Sequence, residues 1–168
     1  MKYRIDNLEE FNNFAKVFAK AIKPRDVISL KGDLGAGKTT FVQFIGKHLG
    51  IDEYITSPTF SIINIYNGDI TIYHLDLYRL EEPSELEALD FENYFYPEDE
   101  ITFIEWAEKA DYYLPDDLIE IEINISKNGR ILEIVTDTKR SLEIGEYLDE
   151  NFINWHINND VFNNNYGR

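Results

Sequence analysis

A chain of 168 residues has room for one domain with a real core, and a 43% hydrophobic composition excludes disorder as its default state. No apolar stretch approaches the ~20 residues of a membrane span, Met1-Lys2-Tyr3-Arg4-Ile5-Asp6 lacks a signal-peptide core, and the absence of cysteine excludes disulfides and thiolate metal sites, so a cytoplasmic protein is expected. Lys and Arg total 16 against 32 Asp and Glu, a net charge of −16, which speaks against gripping RNA or DNA alone, because that grip rests on neutralising phosphates; the same acidity also serves solubility.

Residues 2–6 suit a short strand. Asn7-Leu8-Glu9-Glu10 then opens a helix, with Asn7 as cap and Glu10 closing a capping box. Leu8, Phe11, Ala15, Phe18, Ala19 and Ile22 follow at helical spacing until Pro24 ends the element. Val27-Ile28-Ser29-Leu30 reads as a buried strand running into a glycine-rich loop, and Lys38 to Leu49 as the next helix, stopped by Gly50. Ser61–Tyr66 and Ile70–Leu75 are strand-like runs around Asn67-Gly68-Asp69, a hairpin signal. A mixed helical region, rich in acids and aromatics, runs from Pro83 to Phe95, and Ile101–Ile104 is an apolar strand ending at Glu105-Trp106. Ile119, Ile121, Ile123 and Ile125 alternate with polar residues, and Lys127-Asn128-Gly129-Arg130 turns the chain into Ile131–Thr136, a second hairpin. One domain is expected over residues 1–150. From Asn151 to Arg168 the chain becomes Asn-rich, with Phe152, Trp155 and Phe162 scattered through it. That stretch reads as a tail that docks at most as a helix and not as a separate domain.

Gly32-Asp33-Leu34-Gly35-Ala36-Gly37-Lys38-Thr39 satisfies the phosphate-loop pattern G-x-x-x-x-G-K-S/T in full. Glycines let the backbone curl until several N–H groups point at phosphate oxygens, and the following helix adds its positive end. Asp33, Gly35, Ala36, Gly37, Lys38, Thr39 and Thr40 are therefore candidate nucleotide contacts. Lys38 is expected on the β- and γ-phosphates, the Thr39 hydroxyl on Mg²⁺, and Thr40 near the α-phosphate. A chance match has a frequency below about 1% over such a length, and the motif stands between a predicted strand and a predicted helix.

Phosphoryl chemistry also needs a carboxylate near the metal and a group that orients the attacking water. Asp76 and Glu105 end apolar runs, where open α/β sheets hold their ligands; spacing alone leaves their roles, or a merely solvated strand-end position, open. His74 either orients a water or is a satisfied structural histidine. Arg79 either stabilises transition-state charge or, preferably, pairs with a nearby acid. Thr56-Ser57-Pro58-Thr59-Phe60 is either a Ser-Pro turn or a switch carrying a γ-phosphate-sensing threonine.

Taken together, Gly32–Thr40, Ser57-Pro58-Thr59-Phe60, His74–Leu80 and Ile104-Glu105-Trp106 stand in the order found in the bacterial TsaE (YjeE) ATPases, which the chain resembles from about Asn7 to Thr136. The fold expected is an α/β P-loop NTPase, a three-layer sandwich whose sheet is mixed because two hairpins interrupt the parallel pattern. The resemblance implies ATP and Mg²⁺ as cofactors, with Thr39 and Glu105 as metal ligands, and Lys38, Asp76 and Glu105 as catalytic residues. Thr59 and Trp106 become parts of the switch and site rim, and residues near Asn7 and Asn128–Arg130 become candidates for the adenine pocket. The implied role is ATP hydrolysis for threonylcarbamoyladenosine formation in tRNA, resetting or regulating the TsaB and TsaD subunits, with tRNA met only through them and neither DNA nor membrane involved. One departure is Leu89-Asp90-Phe91, where the family has Leu-Gly; Asp tolerates the left-handed turn that glycine would suit.

Two other functions fit the loop. A small-molecule kinase commonly needs an arginine-rich lid, and the chain has six arginines in all; a product screen with labelled ATP separates transfer from hydrolysis. A nucleotide-sensing module with negligible catalysis would use ATP as a structural ligand, and turnover with and without partners discriminates it. A GTPase lacks support, since no Asn/Thr-Lys-x-Asp motif occurs.

Overall fold

A computed structural model describes the backbone of residues 1–165 and side chains as far as Phe152. Strand β1 (Lys2–Ile5) leads into helix α1 (Leu8–Ala21). Asn7 Oδ1 accepts the Glu10 N–H at 2.9 Å, and the Glu10 carboxylate reaches one residue beyond the expected box to accept the Asp6 N–H at 2.7 Å. The α1 stripe Phe11, Phe14, Ala15, Phe18 and Ala19 is buried, as its spacing requires. Then follow β2 (Val27–Lys31), α2 (Lys38–His48), β3 (Ile63–Tyr66) and β4 (Ile72–Asp76). β3 starts two residues later than its apolar run, because the Ser61 and Ile62 amides bond back to the Pro58 carbonyl.

The acidic, aromatic region resolves into a 3₁₀ segment (Pro83–Leu89) and a single turn, α3 (Glu92–Phe95). Between them Asp90 takes the left-handed conformation, φ 48° and ψ 42°, which its place in Leu89-Asp90-Phe91 leads one to expect. β5 (Ile101–Glu105) is followed by a second 3₁₀ segment (Ala107–Tyr113), the hairpin β6 (Ile119–Ser126) and β7 (Gly129–Val135), and α4 (Lys139–Asn165).

The seven strands lie in the order β1-β7-β6-β2-β5-β4-β3. The central four, β6-β2-β5-β4, are parallel, while β3, β7 and β1 pair antiparallel at the edges. The mixed sheet expected from two hairpins is therefore the observed one. Long helices cover one face, where Phe11 stacks on Phe41 at 5.5 Å and Phe14 meets Phe152 edge-on at 5.1 Å. The other face is covered by the short segments through Leu86, Phe95, Ala107 and Ala110. Three layers result.

Helix α4 is longer than the tail that composition suggests. Thr138 and Ser141 cap its start reciprocally, and Ile144, Leu148 and Phe152 enter the core at four-residue intervals. Asn151 is thus no structural boundary, since α4 passes through it. The side chains of Trp155 and Phe162, and residues 166–168, lie outside the described part. Among the described residues no helix is long and apolar enough to cross a membrane.

Candidate nucleotide site

The glycine-rich loop leaves the C-terminal end of the central strand. Gly32, at φ 139°, is required there: a Cβ would stand 2.3 Å from the Ile123 carbonyl oxygen on β6. Gly37, at φ 111°, turns the backbone into α2 with Lys38 as its first residue. The buried Lys38 ammonium donates to the carbonyls of Gly32 at 2.6 Å and Asp33 at 3.1 Å, and lies 4.9 Å from the Trp106 ring centre. On the far side Arg130, at the start of β7, donates to the Ala36 carbonyl at 2.7 Å and the Gly35 carbonyl at 3.4 Å.

Parallel register brings the carboxylates beside the loop. Leu30 of β2 pairs with Glu105 of β5, and Glu105 pairs with Asp76 of β4. Alternation along β4 puts Ile72, His74 and Asp76 on the face of the long helices. Glu105 Oε1 accepts the Thr39 hydroxyl at 2.9 Å. Asp76 Oδ2 accepts Thr59 Oγ1 at 2.6 Å and Ser57 Oγ at 3.4 Å, and its Oδ1 accepts the Tyr78 N–H at 2.9 Å. Both carboxylates are nearly buried, and each is held by hydroxyls from a different segment.

These groups surround one cavity of about 370 Å³, lined by Gly35, Gly37, Lys38, Thr39, Thr40, Thr59, Asp76, Glu105 and Trp106. Nine of the residues singled out from the sequence thus meet at one place. Asp33 and Ala36 do not line it: Ala36 packs its side chain into the core and bonds its N–H to the Asp33 carbonyl at 3.0 Å. Trp106 holds φ 60°, a left-handed conformation rare for a bulky residue, and its ring lies 5.2 Å from Tyr78. Leu34, Ser57 and Tyr78 complete the lining; Tyr78 had a signal in the sequence, two residues beyond Asp76.

A second cavity of about 270 Å³ shares Gly35, Gly37 and Thr40 and adds Asp6, Asn7, Leu8, Phe11, Gly129 and Arg130. It adjoins the phosphate loop on the side of Asn7 and Arg130, where the resemblance implies an adenine pocket. A larger one, about 460 Å³, opens between Pro24, Val27 and Pro97. It sits where the parallel strands begin, whereas open α/β sheets bind ligands at the strands' carboxyl ends, so its size does not make it the site.

Arg79 takes neither of its two expected places, and His74 takes the structural one of its two. Arg79 neither lines the cavity nor makes an ion pair among the described residues; its guanidinium lies 4.1 Å over the exposed Phe60 ring. His74 is wholly buried behind Glu105, 2.9 Å from Oε1, and so does not face a water in the cavity.

The donor set suits a divalent cation that arrives with a triphosphate. Among the described residues no cluster of three or more His, Asp or Glu is able to hold a metal unaided. Thr39, with its hydroxyl proton given to Glu105, keeps oxygen lone pairs for a hard cation, which takes its other ligands from phosphate and water.

A mixed α/β sheet whose central strand runs through a glycine-rich loop into a helix defines the chain as a P-loop NTPase fold. The family model described as threonylcarbamoyl adenosine biosynthesis protein TsaE matches residues 5–132, and the chain belongs to that family. The tRNA threonylcarbamoyladenosine biosynthesis protein TsaE of Bacillus subtilis is 44% identical over 124 residues, 73% of this chain and 77% of that one. Its counterpart from Rickettsia felis is 40% identical over 140 residues, 82% and 81% of the two chains. The crystal structure of YdiB from Bacillus subtilis superposes with a TM-score of 0.76 at 34% identity, over 89% of this chain and 94% of that one.

Proposed function

We propose that this chain binds and hydrolyses ATP with Mg²⁺ as the ATPase subunit of the cytoplasmic machinery that forms threonylcarbamoyladenosine in tRNA. Its turnover resets or regulates a TsaB–TsaD complex, and tRNA is held by those partners and not by this acidic chain. The names of its relatives support the pathway. The observation that carries the ATPase reading is the convergence of Lys38, Thr39, Thr59, Asp76 and Glu105 on one cavity.

The adjoining cavity at Asn7, Phe11 and Arg130 takes the base, so that the loop between the two cavities cradles the phosphates. Lys38 leaves the Gly32 and Asp33 carbonyls for the triphosphate, and the Trp106 ring shields it from water. Thr39 and Glu105 hold Mg²⁺, which supplies charge to neutralise the phosphates and polarise the transferring group. Asp76 is the water-orienting carboxylate. Its Oδ2 is capped by Thr59, so turnover requires the Thr59 loop to leave Asp76, and this exchange makes the loop a switch.

The test is ATP turnover and ATP binding by purified protein. Lys38→Ala loses nucleotide binding, whereas Asp76→Ala keeps binding and loses turnover; unimpaired hydrolysis in both variants overturns the mechanism. The same assay with TsaB, TsaD and tRNA tests the partner role, for which stimulated turnover is expected and an unchanged rate counts against it.

A further inference from the structure

His74 is fully buried, yet it touches the site through a residue that lines the cavity. Its Nε2 lies 2.9 Å from Glu105 Oε1, the oxygen that also accepts the Thr39 hydroxyl at 2.9 Å. Among the described residues Nδ1 has no hydrogen-bond partner. The bonding pattern assigns the ring proton. Placed on Nε2, it is donated to the carboxylate, and only a lone pair is stranded at Nδ1. Placed on Nδ1 alone, it would set two acceptors against each other and orphan a buried N–H, which is the costlier arrangement.

The position follows from the sheet. His74 pairs in register with Phe103 on β5, one pleat below the Asp76–Glu105 pair and on the same face. An apolar side chain would fill that place without stranding Nδ1. The imidazole is offset by one interaction, its bond to Glu105.

We propose that His74 is a positioning residue that acts through Glu105, an inference that rests on the reading of Thr39 and Glu105 as cation ligands. Two donors on Oε1, one from α2 and one from β4, fix the rotation of the carboxylate. Glu105 Oε2 accepts no hydrogen bond from the described residues and stays available to the cation. A ligating carboxylate held from behind loses less freedom on binding and keeps its orientation when the Thr39 hydroxyl engages the metal.

Mn²⁺ serves as the probe, its affinity for the protein–ATP complex read by electron paramagnetic resonance, beside ATP affinity without metal. His74→Phe keeps a ring and removes the donor; His74→Gln restores an amide N–H at similar reach. In His74→Phe the Mn²⁺ affinity is expected to fall about 10- to 100-fold with metal-free ATP affinity unchanged, and His74→Gln is expected to recover most of it. Wild-type Mn²⁺ affinity in His74→Phe overturns the positioning role, as does equal loss in both variants or a matching loss of metal-free ATP affinity. If the variants do not fold, imidazole ¹⁵N resonances of the wild-type protein decide: a protonated Nε2 with a bare Nδ1 supports the role, and an unprotonated Nε2 overturns it. Wild-type protein that binds ATP but no Mn²⁺ removes the ligand reading itself, and the positioning role with it.

Discussion

Asp76 and Glu105 are register partners at the ends of adjacent parallel strands, so two carboxylates face one cavity from the same side of the sheet. They are held differently. Glu105 takes its hydroxyl from Thr39, at the helix start set by the phosphate loop, whereas Asp76 takes its own from Thr59, in the loop between α2 and β3. That loop is tied at its base, where Gln43 donates to the Ile55 carbonyl at 2.7 Å and the Tyr66 hydroxyl bonds to Thr56. Its tip rests on Asp76 and on the Arg79–Phe60 contact. One carboxylate is thus held by the helix that opens from the phosphate loop, and the other by the loop between α2 and β3.

That difference predicts separable defects. Asp76→Asn keeps shape and removes charge, so turnover should fall about 100- to 10,000-fold, the usual worth of a positioned proton acceptor, with ATP affinity changed little. Glu105→Gln should instead weaken the Mg²⁺ dependence of binding. Rate constants and ATP binding measured across a Mg²⁺ titration distinguish the two, and identical profiles would contradict the division of roles.

Arg130 ties the second cavity, lined by Asn7 and Phe11, to the phosphate loop through the Ala36 and Gly35 carbonyls. Arg130→Met keeps the aliphatic stem and deletes the donors. Such a bond is worth about 1–2 kcal/mol when half-exposed, so ATP affinity should weaken roughly 5- to 30-fold while its Mg²⁺ dependence stays as in the wild type. Calorimetric titration at two Mg²⁺ concentrations checks both halves.

The loop and the two carboxylates were legible because their chemistry dictates residue type at short spacing: Gly32 to Thr39 within one turn, and Asp76 and Glu105 at the ends of apolar runs. What failed to show involves partners remote in the chain. The second cavity forms because β7 pairs with β1, setting Ile5 opposite Arg130; no local pattern encodes that pairing, and only the family resemblance points to Asn7 and Asn128–Arg130 together. Acids stand near Arg79 in sequence, yet its partner is the ring of Phe60, brought near by the β3–β4 hairpin. The start of α4 was readable in principle: Thr138 and Ser141 form a cap, and Ile144, Leu148 and Phe152 keep helical spacing. Asn-rich composition beyond Asn151 masked the last of these, although Phe152 is a core residue.

Gly32 and Gly35 share the loop and a positive φ, and they predict unequal costs. A Cβ at Gly32 meets the Ile123 backbone at 2.3 Å, whereas at Gly35 nothing stands within 4 Å. Gly32→Ala should therefore destabilise by about 2–4 kcal/mol, backbone strain plus a clash with a strand that does not yield. Gly35→Ala should cost only about 1 kcal/mol from its backbone conformation. Urea unfolding without nucleotide reads the difference, and equal midpoints would show that β6 moves aside.

Tyr3 locks α4 to the sheet and makes that lock sensitive to alkali. Its hydroxyl donates to Asp149 Oδ1 at 2.7 Å and approaches the Gly145 carbonyl at 3.2 Å, while its ring packs on Phe14 and Phe152. Burial, reinforced by the bond to Asp149 and by its negative charge, raises the phenol pKa above its ordinary 10.0. The folded protein therefore keeps this proton at a pH where the unfolded chain releases it. Below the ordinary pKa both states are protonated and the full stabilisation is present; above it the unfolded state binds fewer protons, so stability declines until the folded phenol ionises too. Tyr3→Phe should cost about 1–3 kcal/mol near neutrality, the worth of a bond to a charged acceptor. The difference between wild type and variant should then shrink above pH 10.0. Because the other tyrosines ionise equally in both proteins, subtracting the two urea-unfolding curves between neutrality and strong alkali isolates Tyr3. A gap that stays constant across that range would mean that the hydroxyl does not hold α4 in place.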